Sequence, residues 1–321
     1  MVTTPAPLLD EMVGVPKNGL AWWARTTDKV RIRLAFWRVP GAARGTVLIF
    51  PGRTEYIEKY GDTVRELTGR GYACVVVDWR GQGLSDRLLD DTRLGHVNIF
   101  SDYQHDVDAA VGVAREFELP APFHMIGHSM GGAIGLRAVI QGLPVESCAF
   151  TGPMWDIYMS PVLRPFGWAL SHLAPIMGMG TRLPPSTSVE GYVQAQPFEN
   201  NVLTADEDMY RLMQDHMTAH PELGIGGPTL VWLREALNEC RYLAGQDSPA
   251  LPCVTFLGDR ESIVDCDAVR QRMERWPGGE LQVIPGAHHE LLMEVPSIRA
   301  RVFDRLDALF QGATARPKAT A

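Results

Sequence analysis

Residues 123–135 read FHMIGHSMGGAIG: an apolar run, a serine held between glycines, then the start of a helical pattern. A chain passing from strand to helix without a loop has no room for side chains at the corner. Glycines at 127 and 131 let the two elements close around Ser129. G-x-S-x-G between a strand and a helix is the nucleophile-elbow pattern, in which the serine hydroxyl is held off the end of a sheet. The helix start behind it leaves free N–H groups for a developing negative charge. A phosphate-cradling loop would read GxGxxG or end in GK[ST], and neither occurs here. His128 fills the variable slot and reads as a packing residue.

An elbow of this kind needs a sheet behind it. Short apolar, β-branched runs lie at 30–38, 46–50, 73–78, 123–127, 146–152, 253–258 and 281–286, each bounded by turn residues. Strands buried on both faces look like this. Helical patterns alternate with them: 101–117 opens with a Ser cap, and 296–310 opens with a proline that a first turn tolerates. The alternation predicts an α/β fold with a mostly parallel twisted sheet flanked by helices. Residues 153–227 show no strand pattern, are rich in Met, Pro, Trp and Phe, and read as an inserted helical cap. The expected organisation is a core over 1–152 and 228–312, the cap between them, and a disordered tail at 313–321.

Composition narrows the partners. Formal net charge is −8, which argues against nucleic acid, because phosphate binding needs a basic stripe. The five cysteines (74, 148, 240, 253 and 266) form no CxxC pair, so neither a disulfide framework nor a zinc knuckle is implied, and a cytoplasmic, reduced compartment is expected. Asp10 and Glu11 stand where a signal peptide would be apolar. No run approaches the ~18 apolar residues of a membrane span.

A nucleophilic serine needs a base, and the base an orienting acid, in the chain order Ser, Asp/Glu, His for this kind of sheet. The last apolar run is followed by AHHELLME, offering His288 and His289. The run before it is followed by GDRESIVD, offering Asp259, Glu261 and Asp265. HHE lacks the i, i+4 histidine spacing of a helical zinc site, so no metal is expected. The oxyanion donors should be the backbone N–H of Met130, after the nucleophile, and that of Arg53, in the PGRTEY loop after the 46–50 strand.

With these residues in place, the sequence resembles the α/β-hydrolase superfamily, in the branch of monoacylglycerol lipases, bacterial lysophospholipases and serine-aminopeptidase-like hydrolases. The resemblance covers roughly 25–152 and 240–310. GHSMGG (127–132) matches the nucleophile motif, and DWRGQGLSD (78–86) is similar to the segment after the fourth strand. FPGRTEYIEKY (50–60) looks like the branch's oxyanion loop, with Pro51 and Tyr56 in place of its histidines. The branch's acid segment, laid on GDRESIVD, implies Glu261 as the acid, with Asp259 as the alternative; its G-x-x-H ending implies His289.

The expectation is therefore a serine hydrolase that cleaves carboxylic esters through an acyl-serine. It needs no cofactor and is of the lysophospholipase or monoacylglycerol lipase kind. The Met-rich stretch 159–184 suits a fatty acyl chain, and the cap suits transient contact with a membrane surface. A small-molecule carboxylesterase is one alternative. An aminopeptidase or amidase is another, and would want Glu190, Glu199, Asp206 or Asp208 near the site. A catalytically inactive binding scaffold would have lost the serine, the acid or the histidine.

Overall fold

The computed structural model describes residues 3–41, 43–185 and 187–314. Among them, one sheet contains β1 (Thr3–Ala6), β2 (Gly19–Arg25), β3 (Arg31–Trp37), β4 (Gly45–Phe50), β5 (Tyr72–Asp78), β6 (Phe123–His128), β7 (Ser147–Thr151), β8 (Cys253–Gly258) and β9 (Gly279–Ile284). Their spatial order is β1-β2-β3-β5-β4-β6-β7-β8-β9. The first three pair antiparallel with each other and then with β5; from β5 to β9 every pairing is parallel.

Helices cover both faces: α1 (Gly61–Gly69), α2 (Tyr103–Glu116), α3 (Met130–Ile140), α4 (Arg164–Ile176), α5 (Tyr192–Ala195), α6 (Glu207–Ala219), α7 (Leu230–Ala244), α8 (Cys266–Glu274) and α9 (Pro296–Thr314). The period of two along β4 explains the layering. Val47 and Ile49 point to a layer shared with Val64 and Leu67 of α1 and Val302 and Leu306 of α9. Leu48 and Phe50 point the other way, to Val107 of α2, Ile134 of α3 and Trp232 of α7. Each such buried aliphatic side chain contributes roughly 1.5–3 kcal/mol.

β1 and β2 are absent from the sequence reading. β1 is a four-residue edge strand holding a proline, and β2 is only half buried, so neither makes a continuous apolar run. α9 extends to Thr314, two residues into the expected tail; 315–321 lie outside the described residues. Between β7 and α7 the chain forms no strand among the described residues, only α4, α5, α6 and short turns. This stretch is fastened to the core: the Glu290 N–H donates to the Leu203 carbonyl (2.8 Å), the Thr204 hydroxyl to the Met293 carbonyl (2.9 Å), and the Ala205 N–H to the Glu294 carboxylate.

The corner after β6 is as tight as its glycines imply. A Cβ at Gly131 would sit 2.0 Å from the Phe50 carbonyl oxygen, and one at Gly127 would sit 2.8 Å from that of Gly131. Ser129 itself is held at φ 50° and ψ −118°, a conformation that side chains rarely adopt. Gly131→Ala is expected to destabilise the fold by more than about 4 kcal/mol or to prevent folding, because backbone and not a flexible side chain is in the way. Gly69→Ala, at the open end of α1 with nothing nearby, should stay within about 1 kcal/mol of wild type. Thermal unfolding of the two variants distinguishes these outcomes.

Candidate active site

The carboxyl ends of the parallel strands converge on one spot, as in open α/β sheets generally. The turn after β6 presents Ser129, the turn after β8 presents Glu261, and the loop after β9 presents His289. The His289 Nε2 lies 2.9 Å from the Ser129 Oγ, and its Nδ1 lies 2.7 Å from the Glu261 Oε2. The other Glu261 oxygen accepts the backbone N–H groups of Ile263 (2.7 Å) and Val264 (3.2 Å). Burial alone would raise the Glu261 carboxyl, but His289 and these N–H groups outweigh it and hold it below its usual value. The carboxyl side chain is completely buried.

The competing residues have other employment. Asp259 is exposed and its carboxylate accepts the Gly286 N–H (2.7 Å). Asp265 caps α8 by accepting the Asp267 and Ala268 N–H groups. His288 turns to Glu294, with its N–H at 2.7 Å and its Nδ1 at 3.3 Å from that carboxylate. On the oxyanion side, the Gly52 N–H is taken by Glu55 and the Thr54 N–H by Gln82 (3.2 Å). Between them the Arg53 N–H has no acceptor among the described residues. The Met130 N–H opens α3, where no carbonyl stands behind it.

Beneath this relay lies a charge cluster that the sequence reading did not find. Lys59 bridges the carboxylates of Glu55 and Glu290, the latter at 2.6 Å, and the Tyr60 hydroxyl donates to Glu55 (2.6 Å). His128, read as a packing residue, is part of it: its Nε2 lies 3.3 Å from Glu290, and its Nδ1 lies 3.0 Å from the Thr151 hydroxyl. The His128 ring stands 4.9 Å from that of His289, centroid to centroid. All four charged side chains are buried. Burial would raise the Glu290 carboxyl, yet Lys59 and His128 hold it well below the carboxylate range. Burial would lower His128, yet Glu290 and Glu55 raise it. Glu55, His128 and Glu290 bring ligand-type atoms within 4.8 Å of one another, but the Lys59 ammonium occupies the place a metal would take. The i, i+4 pair Glu55–Lys59 was the visible signal; its burial was not.

Ser129 and His289 open into a cavity of about 390 Å³. Its apolar wall includes Met154, Leu203, Met213, Met217, Ile225 and Trp232. The stretch expected to hold an apolar ligand, 159–184, does not line it. α4 packs on α7 and leaves Phe166 (70% exposed) and Ile176 (82% exposed) in solvent. Helical periodicity cannot tell a cavity-facing stripe from an outward one. Glu190, Glu199, Asp206 and Asp208 also lie outside the lining, and Asp206 caps α6. Among the described residues, no helix is long and apolar enough to cross a membrane.

Residues 41–296 match the family described as serine aminopeptidase, S33. Lysophospholipase L2 of Escherichia coli K12 is 33% identical over 292 residues, covering 85% of this chain and 82% of that protein. Monoacylglycerol lipase of Mycolicibacterium smegmatis is 24% identical over 274 residues, covering 83% and 88%. A crystal structure of a soluble variant of monoglyceride lipase from Saccharomyces cerevisiae, in complex with a substrate analog, superimposes with a TM-score of 0.69 at 19% identity, covering 92% and 95% of the two chains.

The buried cluster has a stability signature. A histidine raised above its ordinary 6.5 stabilises the fold fully below that value, and the contribution is lost as pH rises through the folded pKa. A depressed carboxyl such as Glu290 works oppositely, and its share is lost as pH falls below about 4.5. Denaturant unfolding of the wild type should therefore weaken above pH 6.5, and His128→Gln should flatten that limb. Lys59→Met, which leaves two buried carboxylates short of a cation, should cost about 3–5 kcal/mol. A wild-type curve already flat from pH 6.5 to 9 would show that His128 carries no such proton.

Proposed function

The chain belongs to the serine aminopeptidase S33 family of α/β-hydrolases and is an ester-cleaving serine hydrolase; on that premise we propose that it releases the acyl chain from a lysophospholipid or a monoacylglycerol. Ser129 attacks the ester carbonyl while the His289 Nε2 takes its proton. Glu261 stays ionised, fixes the His289 Nδ1–H and stabilises the imidazolium. The Arg53 and Met130 N–H groups hold the oxyanion, each contributing about 3 kcal/mol of transition-state stabilisation. His289 then protonates the leaving alcohol and activates water for deacylation.

The observation that carries this reading is the continuous relay of 2.7 and 2.9 Å contacts from Glu261 through His289 to Ser129, opening into an apolar cavity. Residues 153–227 act as the cap, since several of them wall that cavity. The resemblance to proteins named lysophospholipase and monoacylglycerol lipase supports a lipid ester. An amine-binding peptidase site is disfavoured, because the carboxylates lining the cavity, Glu55 and Glu290, are already engaged by Lys59 and His128. The exposed apolar side of α4, with Phe166 and Ile176, faces the lipid surface from which an amphiphilic substrate enters. Five free cysteines fit a reduced compartment.

Rates on lysophosphatidylcholine and monoacylglycerol should rise with acyl length and vanish in Ser129→Ala. Glu261→Gln should lower kcat by roughly three to four orders of magnitude, whereas Asp259→Asn and Asp265→Asn should stay within about threefold. If only Asp259→Asn collapses while folded, the acid is misassigned. Phe166→Glu with Ile176→Glu should slow hydrolysis of vesicle-borne substrate by about tenfold or more and spare short soluble esters; equal loss on both would rule out a surface-docking role.

A further inference from the structure

The cavity contains a cation that the ester chemistry does not use. The Arg53 side chain lines the same pocket as Ser129. Its Nη1 donates to the Gly226 carbonyl (2.8 Å), and its guanidinium stands 5.5 Å from the centre of the Trp232 ring. The Nε–Nη2 edge has no acceptor, and the guanidinium no carboxylate, among the described residues. Burial pushes its pKa down to about 10, so it remains a cation at neutral pH.

The fully buried arginines are matched, whereas Arg53 is partly buried on the cavity wall. Arg33 pairs with Glu58 and Asp78, and Arg80 with Asp28 and Asp106. Arg272 lacks a carboxylate but donates to the Gln246 and Leu243 carbonyls and the Ser248 hydroxyl. Glu55 and Glu290 share the cavity with Arg53 but are held by Lys59. A guanidinium on a cavity wall with one free bidentate edge offers a planar fork that suits a phosphate.

We propose that Arg53 selects for lysophospholipids by donating the Nε–Nη2 edge to the head-group phosphodiester. This rests on the lipid-ester reading above. With the ester oxyanion at the Arg53 backbone N–H, the guanidinium of the same residue stands in that cavity beside Trp232 and the Gly226 carbonyl. One residue thereby contacts both ends of the polar half of the substrate. A monoacylglycerol has only a hydroxyl at the phosphate position and gains nothing from the cation.

The test compares kcat/KM for 1-palmitoyl-lysophosphatidylglycerol and 1-palmitoylglycerol in the full chain, wild type and Arg53→Gln, in the same mixed micelles. The phosphate-to-neutral selectivity ratio should fall at least about tenfold, the scale of one lost charge-assisted pair. Arg53→Lys should be intermediate, with the change carried by KM. An unchanged ratio overturns the proposal. If Arg53→Gln does not fold, the wild type decides: glycerol 3-phosphate should inhibit p-nitrophenyl butyrate hydrolysis competitively and more strongly than glycerol or inorganic phosphate. Inhibition no stronger than that by glycerol overturns the proposal, and inhibition matched by inorganic phosphate reduces it to a free-anion site. A wild type that turns over neither palmitoyl substrate while hydrolysing the butyrate ester overturns the lipid reading itself.

Discussion

Helix α3 stands against the carboxyl ends of β4 and β6 because residue 131 carries no side chain, and the geometry of the site follows from that approach. The Phe50 carbonyl would lie 2.0 Å from any Cβ there. The same approach brings the first N–H of α3 beside the loop that leaves β4, so the unpaired Met130 and Arg53 N–H groups belong to elements that cannot drift apart independently. The strained backbone of Ser129 costs on the order of 1–3 kcal/mol. It is held by its own N–H donating to the Thr151 carbonyl (3.1 Å) and by its carbonyl accepting from Gly132 and Met154 (both 2.8 Å). Strand β7, which contributes no side chain to the relay, thus secures the serine's position.

Beneath the site, buried charges stand next to buried charges of opposite sign. Lys59 lies between Glu55 and Glu290 with His128 beside Glu290, and Arg33 joins Glu58 and Asp78 in a second buried group under the β3–β5 pairing. Such clusters contribute little net stability over an apolar core of the same shape, but removing one member is severe. They do fix geometry. Asp78 also accepts the Ile57 and Leu84 N–H groups (both 2.8 Å), tying the loop after β4 to the turn after β5. The loop after β4 is therefore braced from below by charge and from the side by Gln82.

Much of the architecture was legible because parallel strands buried on both faces produce unbroken apolar runs, and β4 to β8 do so. β1 and β2 were not, since an edge strand with a proline and a half-buried neighbour leave no such run. Ser129 stood out through glycine spacing, which reports a steric need directly. Choosing among Asp259, Glu261 and Asp265 was beyond local pattern: all three sit in one loop, and their fates as staple, histidine partner and helix cap depend on where β9 and α8 lie. The buried ion cluster stayed hidden for the same reason, because Glu290 meets Lys59 across 231 positions of chain. The apolar stretch 159–184 misled, since composition reports greasiness but not direction.

The three hydrogen bonds that fasten residues 203–205 to residues 290–294 divide the inserted segment unequally. Upstream of the fastening, α4 packs on α7, whereas α5 packs on α6, where the Gln214 amide donates to the Val193 carbonyl (2.9 Å). Downstream, α6 is continuous with the fastened stretch, so any shift of it pulls on the backbone one residue from His289. Displacing the inserted segment is therefore mechanically cheaper at α4 than at α6. His289 is thus mounted beside the more firmly tied side of that segment.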